Sequence, residues 1–270
     1  MGKRHYTSAY YCGVAAFSVM GNHYHLVARF EQPRKLSKEE LWERALRLYP
    51  RSEARLKLWR KDKWARLEKR LFDVSELMRS IQSAFGRWYN GAYNRKGRFW
   101  AERFKSTLLE GPQAALDAML YVDLNPVRAR AAKRPEEWEG SSVFFRELKK
   151  DGWLIPLKEL VVCSGGEGYE DYKGLLYHRG AIPTKAGQAV LSEELLKQET
   201  ARGFKRQGIY LKQLRYFTDG LALGGEDWVR EQIGRLREAG QILRRENPTE
   251  QLDGVHFSLR EQRSTFVPLI

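Results

Sequence analysis

Cysteine is nearly absent from this chain. Cys12 and Cys163 are the only two in 270 residues. They are too few and too far apart for a zinc cluster or a disulfide framework, which points to a reducing interior. No run of about 18 apolar residues occurs, so no segment is suited to spanning a membrane. The opening residues, Met1-Gly2-Lys3-Arg4-His5-Tyr6, lack the apolar stretch of a signal peptide. The expected compartment is the cytoplasm. No internal repeat is visible. Acid is in deficit: 34 Asp and Glu stand against 48 Lys and Arg, a formal net charge of +14. Such an excess favours a polyanionic partner, of which nucleic acid is the commonest. A surface of well-solvated lysines and arginines is the plainer explanation.

The remaining composition suits a globular chain. At 42% hydrophobic it can bury a core, and the length fits one large domain or two ordinary ones. The run from Cys12 to Met20 is almost wholly apolar. Gly21-Asn22 follows, then His23 to Phe30. Two strand-like segments about a Gly-Asn pair predict a tight β-hairpin. In the second strand Tyr24, Leu26, Ala28 and Phe30 alternate with His23, His25, Val27 and Arg29, so the two sets lie on opposite faces. The first set is expected to form the core face.

Residues 31–72 are highly charged and read as an exposed helical insertion. Leu77, Ile81, Phe85 and Trp88 recur at helical spacing between Asp73 and Asn90, with Asp73 or Ser75 as the cap. Asn90 to Gly97 is a basic turn. Arg103, Lys105 and Thr107 alternate with Phe104, Ser106 and Leu108, which predicts a strand. Gly111-Pro112 opens a helix whose buried stripe is Leu116, Leu120 and Leu124. Asp117, Tyr121 and Asn125 form a second line, also four residues apart. Asn125-Pro126 is expected to end that helix. From about 150 the character changes, with a glycine-rich connection at 163–168 inside a linker over 149–189. A mainly helical extension follows over 190–270, with Tyr210 to Phe217 and Trp228 to Leu236 as its clearest segments.

Two groups carry potential chemistry. His23 and His25, two apart on a strand, emerge on one face and can present two neutral nitrogens to one metal ion. Local hydrogen bonding on a surface explains the pair equally well. Tyr121 and Asn125 share a helix face. A phenol is a poor nucleophile, with a pKa of about 10. Nearby cations favour the phenolate, and a divalent ion can polarise a target phosphate. Asn supplies an uncharged oxygen suited to Mg2+ or Mn2+. An exposed Tyr and an Asn before proline are also ordinary at a helix end. His5, His178 and His256 are isolated.

Together these residues resemble a known family. Phe17 to His25, Phe-Ser-Val-Met-Gly-Asn-His-Tyr-His, resembles the strand-turn-strand motif of IS200/IS605-like transposases of the HUH superfamily. Tyr121 to Ala129, Tyr-Val-Asp-Leu-Asn-Pro-Val-Arg-Ala, is similar to the catalytic helix of the REP-associated tyrosine transposases. Gly97 to Ser106 is similar to the strand before that helix, and Glu137-Trp138 with Ser141-Ser142 fits the family's ending. The resemblance covers about residues 10–145, and Arg215 to Gly224 resembles a C-terminal extension seen in one group.

The resemblance implies an α+β, ferredoxin-like catalytic domain over 1–148. His23, His25 and Asn125 would hold Mg2+ or Mn2+. Tyr121 would attack a phosphate of single-stranded DNA beside a repetitive palindromic hairpin, giving a 5′-phosphotyrosine link and a free 3′-OH. Arg103, Lys105 and Arg128 are the candidate DNA contacts. Two departures stand out. The family's first strand and helix have no counterpart before Cys12, which suggests a truncated copy and a gap beside the histidine strand. Gly21 replaces the Ser or Pro often found in the turn. Two rival readings are a relic that binds structured DNA without cutting it and an unrelated metallohydrolase whose histidines activate water.

Overall fold

The computed structural model describes residues 6–160, 168–181, 189–201, 220–240, 247–250 and 257–260. His5, Cys163, His256 and the expected helix from Tyr210 to Phe217 lie outside them. The described residues make the protein α+β. Among them, no helix is long and apolar enough to cross a membrane. The chain divides into two compact units, one of residues 1–14 and 28–104, the other of 15–27 and 105–270.

The expected hairpin is present: β1 (Cys12–Val19) and β2 (Tyr24–Phe30) form a two-stranded sheet. Met20 N donates to His23 O at 2.8 Å, closing the turn around Gly21 and Asn22.

The first unit is largely helical, with α1 (Lys38–Leu48), α2 (Glu53–Lys57), α3 (Lys61–Arg70) and α4 (Val74–Ala92). Ser37 and Glu40 cap α1 reciprocally. Asp73 caps α4, accepting from Ser75 N at 2.7 Å. The charged stretch builds a small core of its own. Leu36, Ala45, Leu56, Leu67 and Leu71 are buried together with Tyr11, and Trp42, Trp59 and Trp64 pack against them. Its anchors are sparse in sequence because α1 to α3 each contribute only one side of a helix. Along α4 the apolar stripe changes role. Leu77, Met78 and Ile81 are buried, but Phe85 is 38% exposed and Trp88 60%. The apolar face of this amphipathic helix is therefore half surface.

In the second unit α5 (Gly111–Arg128) carries the expected core stripe, with Leu116, Leu120 and Leu124 all buried. Pro112 sits in its first turn, where a missing N–H costs nothing. The helix does not stop at Asn125-Pro126. Ala129 N donates to Asn125 O at 2.9 Å and Ala131 N to Pro126 O at 2.8 Å, so one further turn forms. Proline removes one donor and restricts its predecessor, but near a helix end the following carbonyl bonds survive. This extra turn places Arg128 on the face of Tyr121 and Asn125.

The stretch read from the sequence as a linker contains α7 (Tyr169–Gly180), which follows the short α6 (Ser142–Glu147). Tyr172, Leu175 and Leu176 of α7 join the main core with Val27, Ala15 and Ala16 of the hairpin. The face assignment in β2 holds only in part, since His23 and Arg29 are exposed but Val27 between them is core. Val27, on the histidine face, is 8% exposed, whereas Tyr24, Leu26, Ala28 and Phe30 are only half-buried. Alternation separates two faces but does not say which one meets a helix.

The expected strand over 103–108 is reduced to β3 (Leu108–Leu109), and Arg103 to Thr107 is irregular. β3 pairs in parallel with β4 (Gly220–Gly224) in a sheet of order β3-β4-β6-β5, with β5 (Thr249–Glu250) and β6 (Phe257–Arg260) antiparallel. The extension is therefore not purely helical. Besides α8 (Glu193–Ala201) and α9 (Glu226–Glu238) it contains these strands. Glu110 joins β3 to α9, its Oε2 accepting from Gly225 N at 2.6 Å.

The far side of α5 is fixed by a buried acid. Asp123 lies two residues from both Tyr121 and Asn125, hence on the opposite side of the helix. Ser142 Oγ donates to its Oδ1 at 2.5 Å and Tyr172 OH to its Oδ2 at 2.6 Å. Burial nevertheless pushes its carboxyl up to about 6, against the lowering effect of those two hydroxyls. The neutral acid is favoured on folding, so this stabilisation is complete below the ordinary carboxyl pKa and is lost as pH rises through about 6. Urea unfolding at pH 4 and pH 7 should show wild type losing on the order of 2 kcal/mol relative to Asp123→Asn. An unchanged difference between the two pH values would mean that Asp123 is charged in the native state.

Candidate active site

The site lies within the second unit, where the hairpin tip meets α5. The tip is held from outside. Trp138 Nε1 donates to Val19 O at 2.9 Å, Val19 N donates to Gly140 O at 2.8 Å, and Ser18 bridges Ser141. A Cβ on Gly140 would come within 2.8 Å of both Val19 O and Trp138 Nε1, so the close approach needs glycine. Of the residues singled out in the sequence, Trp138, Ser141 and Ser142 fix the end of β1, while Glu137 caps its own turn by accepting from Arg134 N at 3.2 Å. Phe17 N donates to Ser142 Oγ at 2.9 Å. Arg146, buried on α6, donates to Ala15 O at 2.9 Å and Ile155 O at 3.1 Å.

With the tip fixed, three aromatic rings come together. His23 and His25 have ring centroids 5.1 Å apart at 80°. His25 and Tyr121 are 5.6 Å apart at 83°. Arg128 lies over the other part of this group, its guanidinium carbon 6.0 Å from the Tyr121 ring centroid. His23 is exposed, whereas His25, Tyr121, Asn125 and Arg128 are half-buried.

The separation of the two imidazole rings is compatible with a shared ion. With nitrogen–metal distances of about 2.1 Å, two imidazoles on one ion have centroids roughly 4.5–5.2 Å apart for ligand angles from 90° to tetrahedral. The observed separation of 5.1 Å falls within that range. His23 Nδ1 lies 2.6 Å from Asn22 Oδ1. With the amide oxygen as acceptor, this contact pairs with the Nδ1–H tautomer, in which Nε2 is the nitrogen available to an ion. Asn125 Nδ2 is buried without a hydrogen-bond partner, so the surrounding fold does not consume this amide. Rotation of the amide would offer its oxygen instead. Among the described residues no group of three or more His, Cys, Asp or Glu side chains is placed to hold a metal ion. A site built on His23 and His25 would have to draw a third ligand from another residue type, such as the amide of Asn125. If Asn22 orients His23, Asn22→Ala should weaken Mn2+ binding about 10- to 100-fold by calorimetry. Unchanged affinity would show the contact to be incidental.

The electrostatics favour an anion. Arg128 is pushed down to about 10, first by burial and then by the neighbouring Arg179, with the Tyr121 phenol opposing. Arg179, on α7, is 5% exposed. Burial lowers it too, and Asp117, one turn before Tyr121, compensates. Arg128 NH2 is buried with no hydrogen-bond partner. A buried guanidinium lacking an acceptor is costly, and an oxyanion would satisfy it.

The structure brings together His23, His25, Tyr121, Asn125 and Arg128. Of the other candidates, Arg103 belongs to the first unit and Lys105 to the second. Arg103 and Lys105 are exposed on the irregular segment and share no strand face. Sequence reasoning overlooked Asn22, Asp123 and Arg179. Asp123 could have been found, since an acid on the core side of an apolar helix must have partners. Comparison with protein-family models, curated proteins and solved structures finds no match to this chain.

Proposed function

We propose that the chain is a metal-dependent single-strand DNA transposase of the REP-associated tyrosine type, acting on hairpin-associated DNA. The convergence of His23, His25 and Tyr121, from segments far apart in sequence, into one line of ring contacts carries this reading. Asn125 one turn further on and the unsatisfied guanidinium of Arg128 add to it. In this reading Tyr121 Oη gives up its proton and bonds to phosphorus. The bond from phosphorus to the 3′ oxygen breaks, and that oxygen leaves as a 3′-OH. The product is a 5′-phosphotyrosine link that another 3′-OH can reverse, so no external energy source is needed. Arg128 positions the phosphate. His23, His25 and Asn125 would hold Mg2+ or Mn2+, which supplies polarisation of that phosphate. A ferredoxin-like HUH catalytic domain is the fold this reading entails.

A second reading is favoured by the strand pairing. Among the described residues β2 pairs with β1 and β3 with β4, in two separate sheets. That arrangement is compatible with a relic that binds structured DNA without cutting it. Labelled hairpin oligonucleotides with Mg2+ or Mn2+ separate the two. The first reading expects a covalent protein–DNA band on a denaturing gel. Salt-sensitive binding without such a band, unchanged in His25→Ala, would replace it with the second.

A further inference from the structure

The exposed half of α4 and the turn that follows form the most unusual surface of the first unit. Residues 82–100 contain six aromatics, four cations and no acid. Phe85 is in ring contact with Trp88 at 5.5 Å, Phe99 at 5.0 Å and Trp100 at 5.6 Å. Tyr89 joins Tyr93 at 4.4 Å and Phe99 at 4.6 Å. The group is held rigidly. Asn90 Nδ2 donates to Gly97 O at 2.9 Å, Arg95 N to Asn90 O at 2.8 Å, and Trp100 Nε1 to Gln82 O at 2.9 Å. The turn bends through Asn94 and Gly97, both at positive φ. Yet Trp88 and Tyr93 are each 60% exposed. Arg87, Arg95, Lys96 and Arg98 are exposed around them, with no carboxylate partner among the described residues. Arg95 lies 5.8 Å from the Tyr89 ring centroid.

We infer that Trp88 and Tyr93, with the basic turn 95–98, form a base-stacking surface for single-stranded DNA, distinct from the residues around Tyr121. Exposed aromatic faces stack on any unpaired base, and cations beside them track the backbone phosphates. Charge selects this occupant over a second copy of the chain, because a copy would bring the same uncompensated cations. The inference rests on single-stranded DNA being the partner, as proposed above.

The test uses the full chain without divalent metal, so that cleavage plays no part. A labelled 15-nucleotide oligo(dT) and an abasic strand of equal length are titrated. Wild type is expected to bind oligo(dT) more tightly than the abasic strand. Trp88→Ala with Tyr93→Ala should weaken oligo(dT) binding by roughly 5- to 150-fold per lost stack, without changing the salt dependence. Trp88→Phe should restore most of it, which separates stacking from misfolding. Arg95→Gln with Arg98→Gln should instead flatten the salt dependence. Oligo(dT) binding that the double alanine variant leaves intact overturns the inference, as does equal binding of the abasic strand. So does a change from dimer to monomer in sedimentation with DNA binding unaffected. Failure of wild type to bind either strand overturns it too, whereas failure to bind the hairpin oligonucleotide as well would remove the proposed function itself.

Discussion

Tyr121→Phe is expected to abolish the covalent protein–DNA product while leaving hairpin binding and folding intact. The substitution deletes one oxygen and nothing else. The ring that meets His25 at 5.6 Å and underlies Arg128 is retained. Removal of a covalent nucleophile costs at least about 10^4-fold in rate in well-studied enzymes, which for a gel assay means no detectable band. Binding should change little, because phosphate contacts dominate affinity for DNA. An equally strong band from Tyr121→Phe would assign the nucleophile elsewhere.

The second large effect belongs to His25→Ala. His25 is the middle member of the group, in ring contact with both His23 and Tyr121. Its loss should lower Mn2+ affinity by more than about 100-fold, beyond the cost of losing a residue that merely orients a ligand. It should suppress the adduct at ordinary metal concentrations, with partial recovery when Mn2+ is raised. Wild-type adduct formation by this variant, at limiting metal, would remove the histidine pair from the reaction. The contrast with Asn22→Ala is informative. That variant keeps both imidazoles and loses only the 2.6 Å contact to His23 Nδ1, so it should need more metal yet reach the same final yield.

How much of this was legible follows from the range of each signal. Gly21-Asn22 between two apolar runs marks the hairpin, because the turn and the alternation are local. Leu116, Leu120 and Leu124 mark the buried side of α5 for the same reason, and Asp73 marks the start of α4 by its reach to Ser75 N. Other features depended on partners far along the chain. Asp123 meets Ser142 and Tyr172, 19 and 49 residues away, and no periodicity announces such pairs. Arg179 looked like part of a connection because the apolar residues of α7 are few and adjacent. The strand at Arg103 to Thr107 failed because imperfect alternation without a neighbouring strand supplies no backbone partners. The turn beyond Pro126 was hidden by a sound rule about proline. That turn matters most for the site, since it carries Arg128 to the tyrosine.

Mapping the attachment point tests the role of Tyr121 most directly. Protein incubated with a hairpin oligonucleotide and Mn2+ is digested with nuclease and protease, and the modified peptide is sequenced by mass spectrometry. The expected product is a nucleotide 5′-phosphate on Tyr121, absent when His25 is Ala and metal is limiting. A nucleotide on any other residue, or cleaved DNA with no modified peptide, would contradict a tyrosine-linked mechanism at this site.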